Sequence, residues 1–95
     1  MSQQENRKPQ ADIVIYTKSY CPFCIRAKHL LDSLALSYQE ISVDGKPELQ
    51  NEMAQMAGAR TVPQIFVDQK PIGGNDDLQA LYRANKLDAL VYPTS

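Results

Sequence analysis

Apolar positions change their period several times along the chain, and each change marks an element. Ile13-Val14-Ile15-Tyr16 is an unbroken apolar run rich in β-branched residues, which predicts a central strand buried on both faces. Thr17-Lys18-Ser19-Tyr20 then carries the chain over the sheet end. From Pro22 to Leu34 the period becomes helical, with Ala27, Leu30, Leu31 and Leu34 on one face, and Pro22 suits a first-turn position that needs no N–H. Tyr38 to Val43 alternates with period two and stops at the turn signal Asp44-Gly45. Pro47 to Ala57 reads as a second helix with Leu49, Met53, Met56 and Ala57 inward, both methionines as core filler, and Gly58 as a left-handed terminator.

Two short runs, Gln64-Ile65-Phe66-Val67 and Lys70-Pro71-Ile72-Gly73, flank Asp68-Gln69 and predict a hairpin whose second strand Pro71 pushes to the sheet edge. Asn75-Asp76-Asp77 offers a capping residue and early acids before Leu78, Leu81 and Tyr82 mark a third helix. Leu87 and Leu90 are expected to cover the core from a short last turn or helix, and Tyr92 to Ser95 to fray. The order β-α-β-α-β-β-α predicts an α/β domain, a four-stranded mixed sheet flanked by helices on both faces, with a right-handed crossover between the first two strands.

At 95 residues there is room for one domain, expected over 12–91 with a flexible tail at 1–11 and a short one at 92–95. Met1 to Asp12 is polar and lacks a signal-peptide core, and no stretch reaches membrane-spanning length, so a cytoplasmic protein is expected. A formal net charge of -1 without a charge block argues against nucleic acid and membrane surfaces as partners.

The chain holds 2 cysteines, too few for a secreted disulfide scaffold, and both fall in Cys21-Pro22-Phe23-Cys24 at the strand-to-helix junction. There the helix N–H groups favour a thiolate. A thiol of pKa about 8.5 is only ~3% ionised at pH 7, whereas one near 5.5 is ~97% ionised. Intrinsic nucleophilicity falls with pKa and cancels most of that gain, so what remains is a better leaving group and rapid turnover in both directions. Cys21, at the exposed helix start, is expected to attack, and Cys24, one turn in, to resolve. Zinc needs about four ligands, and Cys21, Cys24 and the lone His29 fall short within one chain. His29 lies too far along the helix to serve Cys21 as a base and is read as a surface residue. An iron–sulfur cluster shared by two chains, with outside thiols completing the ligation, competes more seriously, although Pro22 stiffens the loop and Cys24 competes for Cys21.

A second constellation points to the same place. Proline at a strand's start removes a ladder donor, so Thr61-Val62-Pro63 demands a bend, which a cis peptide before Pro63 supplies. The Val62 N–H and C=O are then available to an extended peptide beside the thiol. Gly73-Gly74-Asn75-Asp76-Asp77 adds a flexible approach and a second helix start, a weak anion-site signal alone. With Lys18 and Arg60 near the same sheet end, the cleft suits a small zwitterionic thiol carrying two carboxylates.

With these three motifs in this order, Cys-Pro-Phe-Cys, Thr-Val-Pro and Gly-Gly-Asn-Asp-Asp, the chain resembles the dithiol glutaredoxins from Ile13 to about Leu90. The resemblance implies a thioredoxin-like fold and glutathione-dependent reduction of protein disulfides and protein–glutathione mixed disulfides, with electrons from NADPH through glutathione reductase. It implies a glutathionylated Cys21 intermediate, with Cys24 serving protein disulfides through an internal disulfide. Lys18, Arg60 and, less directly, Gln50 then engage the glycyl carboxylate; the Val62 backbone pairs with the cysteinyl portion; Gly74, Asn75 and Asp76 hold the γ-glutamyl end. Thr61 and cis-Pro63 shape the cleft and Tyr20 lines it. Glutathione enters as reducing co-substrate, with no tightly bound cofactor, no metal and a monomeric protein expected. Phe23 replaces the tyrosine commonest inside the pair, and Asn75 stands where some members carry an extra cysteine.

Two alternatives remain open. One is a donor served by thioredoxin reductase and dedicated to a partner such as ribonucleotide reductase. The other is a dimeric iron–sulfur carrier with glutathione as a cluster ligand.

Overall fold

A computed structural model of the chain describes residues 10–93. Strand β1 (Ile13–Thr17) leads into helix α1 (Pro22–Ser33), and β2 (Gln39–Ser42) into α2 (Pro47–Ala57). The hairpin β3 (Gln64–Val67) and β4 (Lys70–Gly73) follows, then α3 (Asn75–Arg83) and the short α4 (Leu87–Val91). The sheet runs in the order β2-β1-β3-β4, with β1 parallel to β2 and antiparallel to β3, and β4 antiparallel at the edge. β1, with its apolar run Ile13 to Tyr16, therefore takes the centre, as its composition predicts.

Alternation along β1 and β3 divides the core in two. Ile13, Ile15, Ile65 and Val67 face α1, α3 and α4 through Ala27, Leu31, Leu78, Leu87 and Val91. Tyr16 and Phe66, edge to face with centroids 5.6 Å apart, meet Met53 of α2 on the other side. Helices thus cover both faces, and the arrangement is the thioredoxin-like α/β fold.

Local chemistry explains the boundaries. Pro22 and Pro47 open α1 and α2 in the first turn, and Gly58 closes α2 with φ +80°. The β3–β4 turn needs positive φ at both Asp68 and Gln69, which the Asp68 side chain supports by accepting the Asp12 N–H at 3.0 Å.

Four expectations need correction. Met53 is fully buried, but Met56 is 51% exposed, because the buried arc of α2 runs through Leu49, Met53 and Ala57 toward Gln50 and Ala54 and leaves Met56 past its other edge. In α4, Val91 rather than Leu90 partners Leu87 in the core; Leu90 is 39% exposed. Tyr92 does not fray: its N–H donates to the Asp88 carbonyl at 2.9 Å and its side chain packs on the core. At the other end, Gln10 and Ala11, read as tail, are part of the packed body. Gln10 exchanges side-chain hydrogen bonds with the Ser37 backbone, and Ala11 N–H donates to the Val91 carbonyl at 2.8 Å. Pro93 is exposed, and tail residues 1–9, 94 and 95 lie outside the described residues.

Candidate active site

The C-terminal end of β1 delivers the chain to Cys21, which caps α1. Its backbone is extended, its carbonyl accepts the Ile25 N–H at 3.0 Å, and its sulfur accepts the Cys24 N–H at 3.2 Å. That N–H and the aligned peptide dipoles behind it stabilise negative charge on Cys21 Sγ, and α1 has no acidic residue in its first turn to oppose them. Cys21 and Cys24 are joined as a disulfide with their Cα atoms 5.2 Å apart. The two sulfurs differ in access: Cys21 is half-buried, whereas Cys24 is 1% exposed and enclosed beneath the first turn.

Across from Cys21 lies the Thr61-Val62-Pro63 segment, with the Val62–Pro63 peptide cis. Cys21 Sγ stands 3.9 Å from the Val62 carbonyl oxygen. Among the described residues the Val62 N–H has no protein acceptor, so a backbone donor and acceptor lie free beside the sulfur. Gln64, 5% exposed, supports this segment from beneath by donating to Thr61 Oγ1 at 3.2 Å.

The start of α3 completes the wall. Gly74 approaches so closely that an added Cβ would lie 3.2 Å from the Pro63 carbonyl oxygen. Asn75 is the first helical residue and not the cap as expected: Gly74 is the cap, and Asp77 in the first turn reaches back so that its Oδ2 accepts the Gly74 N–H at 3.0 Å. Gly73, at φ +111°, leaves room for that carboxylate.

Together these segments enclose a groove of about 580 Å³ that runs from Phe23 past Val62 and Pro63 to Gly74, Asn75 and Asp76. That volume is in the range of small-molecule sites. A smaller apolar cavity of about 170 Å³, lined by Leu34, Leu36, Leu87 and Val91, lies away from the sulfurs.

A glutaredoxin family model matches residues 13–72, which include both cysteines and the Thr-Val-Pro segment. The chain belongs to the glutaredoxin family. It is 57% identical over 79 residues to a glutaredoxin of Pseudomonas aeruginosa, covering 83% of this chain and 94% of that one. It is 49% identical over 81 residues to glutaredoxin 3 of Escherichia coli K12, covering 85% and 98%. Among solved structures, a glutaredoxin of Brucella melitensis superposes with a TM-score of 0.79 at 43% identity, covering 88% of this chain and 91% of that one. A buckwheat glutaredoxin–glutathione complex does so with 0.78 at 36%, covering 94% and 81%. This glutaredoxin is therefore a thiol–disulfide oxidoreductase with Cys21 and Cys24 as its active-site pair.

The other residues singled out from the sequence divide. Thr61, Val62, Pro63, Gly74, Asn75 and Asp76 line the one groove. Lys18, Gln50 and Arg60 stand outside its lining. Gln50 donates to the Arg60 carbonyl at 3.0 Å, and the Arg60 guanidinium donates to Asn51 Oδ1 at 2.7 Å. Lys18, half-buried, lends its charge to Asp44, whose carboxyl is held below the usual range chiefly by hydrogen bonds from the Ser19 hydroxyl and N–H. Tyr20 does not line the groove of this glutaredoxin: it adopts φ +57° and its side chain is 100% exposed. His29 is on the surface, as expected.

Three residues escaped the sequence reading. Gln64 had a usable signal, a polar residue opening an apolar strand just after proline. Asp77 had another, an acid three residues after Gly74. Asp44 had none, because only the fold brings it to Ser19.

Proposed function

We propose that Cys21 is the nucleophile and Cys24 the resolving thiol in the glutathione-dependent reduction of two substrate classes. With a protein–glutathione mixed disulfide, the Cys21 thiolate attacks the glutathionyl sulfur. The substrate S–S bond breaks, the protein leaves as a thiolate that takes up a proton, and glutathione stays bound to Cys21. A second glutathione thiolate attacks that glutathionyl sulfur, releasing oxidised glutathione and the Cys21 thiolate. NADPH and glutathione reductase then restore reduced glutathione.

With a protein disulfide, Cys21 forms a mixed disulfide with one substrate sulfur and the other leaves as a thiol. Cys24 loses its proton and attacks Cys21 Sγ, freeing the reduced substrate and leaving the Cys21–Cys24 disulfide. Two glutathione molecules reduce that bond. The enclosure of Cys24 supports its later role, since an outside disulfide meets Cys21 first.

The groove beside Cys21, which meets the sulfur at the Val62 carbonyl, carries this reading. Its free Val62 N–H and C=O suit the cysteinyl backbone of glutathione, and Gly74, Asn75 and Asp76 suit the γ-glutamyl amine and carboxylate. Lys18 and Arg60, with Gln50 holding the Arg60 backbone, are assigned to the glycyl carboxylate, which requires Arg60 to turn from Asn51. The buckwheat relative in complex with glutathione supports a glutathione site in this fold. The protein is taken to act as a monomer, in the cytoplasm, without a resident cofactor, and ribonucleotide reductase is one candidate substrate.

Titration of the Cys21 thiolate, followed by a glutathione-coupled assay, tests the roles. Cys21→Ser should abolish both reactions, whereas Cys24→Ser should spare deglutathionylation and lose most protein-disulfide reduction. Equal losses from the two substitutions would refute the assignment.

A further inference from the structure

A second groove opens from the first. It lies between α1 and α3, has a volume of about 490 Å³, and shares Asn75 and Asp76 with the groove beside Cys21. Arg26, His29 and Ser33 line it from α1 at i, i+3 and i+7, while Asp76, Gln79 and Arg83 line it from α3 with the same spacing. Such spacing puts each trio along one helix face. Both helices start beside the dithiol, α1 capped by Cys21 and α3 by Gly74, so both rows lead away from it.

The charge of this surface is lopsided. Arg26 and Arg83 have no carboxylate partner among the described residues, where the one ion pair is Lys28–Glu40. Arg26 instead lies over the Phe23 ring, 5.4 Å from its centroid. Asp76 is the sole acid in the lining, and it sits at the border with the first groove. Beside the cations, Phe23 and Ile25 leave 50% and 60% of their surface exposed. Two guanidiniums and an imidazole thus offer donors toward solvent, next to the exposed Phe23, on a surface that joins the groove beside Cys21 at Asn75 and Asp76.

We propose that the α1–α3 groove is a docking track for the acidic flank of a disulfide-bearing polypeptide whose sulfur reacts at Cys21. Glutathione needs only the first groove, but a polypeptide continues past its reacting sulfur and must leave across the surface. Beyond Asp76 the route meets Arg26, His29 and Arg83, and a guanidinium fork matches a carboxylate. Exposed charges of this kind select and steer a partner more than they tighten its complex, which suits an enzyme that must release its product. The inference rests on the dithiol reading above.

The test uses the full chain and three peptide disulfides of one core sequence, flanked by glutamates, glutamines or lysines. A mixed disulfide of glutathione with 2-mercaptoethanol serves as a substrate without a flank. The glutamate peptide should show kcat/KM about threefold to tenfold above the glutamine peptide at low salt, and the difference should shrink as salt rises. Arg83→Gln should remove most of that preference and Arg83→Glu should turn it toward the lysine peptide, with the flankless substrate unchanged. Arg26→Gln should act in the same direction as Arg83→Gln. Equal kcat/KM for the three peptides, or a preference that survives Arg83→Glu, would overturn the docking track while leaving the dithiol chemistry intact. Failure of the wild-type protein to turn over the flankless substrate would instead overturn the dithiol reading, and the track with it.

Discussion

Asp44 accepts two hydrogen bonds from Ser19, one from the backbone N–H at 2.8 Å and one from the hydroxyl. Ser19 lies two residues before Cys21, and Asp44 lies in the turn after β2, so a carboxylate from the neighbouring crossover fixes the loop that delivers the nucleophile. Asp44→Ala should accelerate amide exchange at Ser19 and slow alkylation of reduced Cys21, with Asp44→Asn intermediate because its amide oxygen still accepts. The Ser19 hydroxyl, then its N–H, hold the Asp44 carboxyl below the usual range. A lowered folded value means that the stabilisation is complete above the ordinary aspartate pKa of about 3.9 and is lost as pH falls through the folded value. The difference in stability between wild type and Asp44→Ala should therefore narrow on acidification below about pH 4.

Thr17, 2% exposed, donates to Glu40 Oε2 at 2.7 Å, and Lys28 of α1 donates to the same oxygen at 2.9 Å. These contacts, Lys28 foremost, hold the Glu40 carboxyl below its ordinary value. Thr17→Val keeps the side-chain shape and removes one donor, so stability should fall by about 0.5–1.5 kcal/mol and the Glu40 pKa should rise. Urea unfolding at unchanged m-value and carboxyl titration by NMR check the two parts.

The two methionines of α2 provide an internal control. Met53→Ala should cost about 2–5 kcal/mol because the side chain is fully enclosed between Tyr16, Phe66 and the helix, whereas Met56→Ala should stay within about 0.5 kcal/mol of wild type. Comparable losses from both would contradict the placement of this helix.

Gly73→Ala should destabilise the protein and weaken glutathione binding together. At φ +111° an L side chain is strained, by about 1–3 kcal/mol, and the new Cβ would overlap the Asp77 carboxyl that accepts the Gly74 N–H. Thermal unfolding and a glutathione titration of the Cys24→Ser background measure both effects.

Much of this fold is legible in the sequence, and the reasons are local. Ile13 to Tyr16 announces a central strand because it has no polar face to show water, and Pro22 places Cys21 at a helix cap because proline tolerates so few helical positions. The failures share a cause too. A 3.6-residue period identifies a helix face but not the width of its buried arc, so it places Met56 inward beside Met53 and Leu90 inward beside Leu87, where the structure leaves both exposed. Asn75 has the side chain of a cap, yet Gly74, pressed against Pro63, takes that position and Asn75 becomes the first helical residue. The family resemblance implies Tyr20 in the cleft, whereas at φ +57° the residue is fully exposed. Asp44 and Ser19 stand 25 residues apart and meet only through the parallel crossover.

The hydrogen bond from Ala11 to Val91 joins the two ends of the described chain at the start of β1, while Cys21 follows that strand's opposite end. With β1 of 5 residues, the sheet itself is the spacer. A fluorophore or affinity handle attached at Gln10 or Pro93 should thus leave the dithiol open to partners, which makes this scaffold suited to tethered redox sensors.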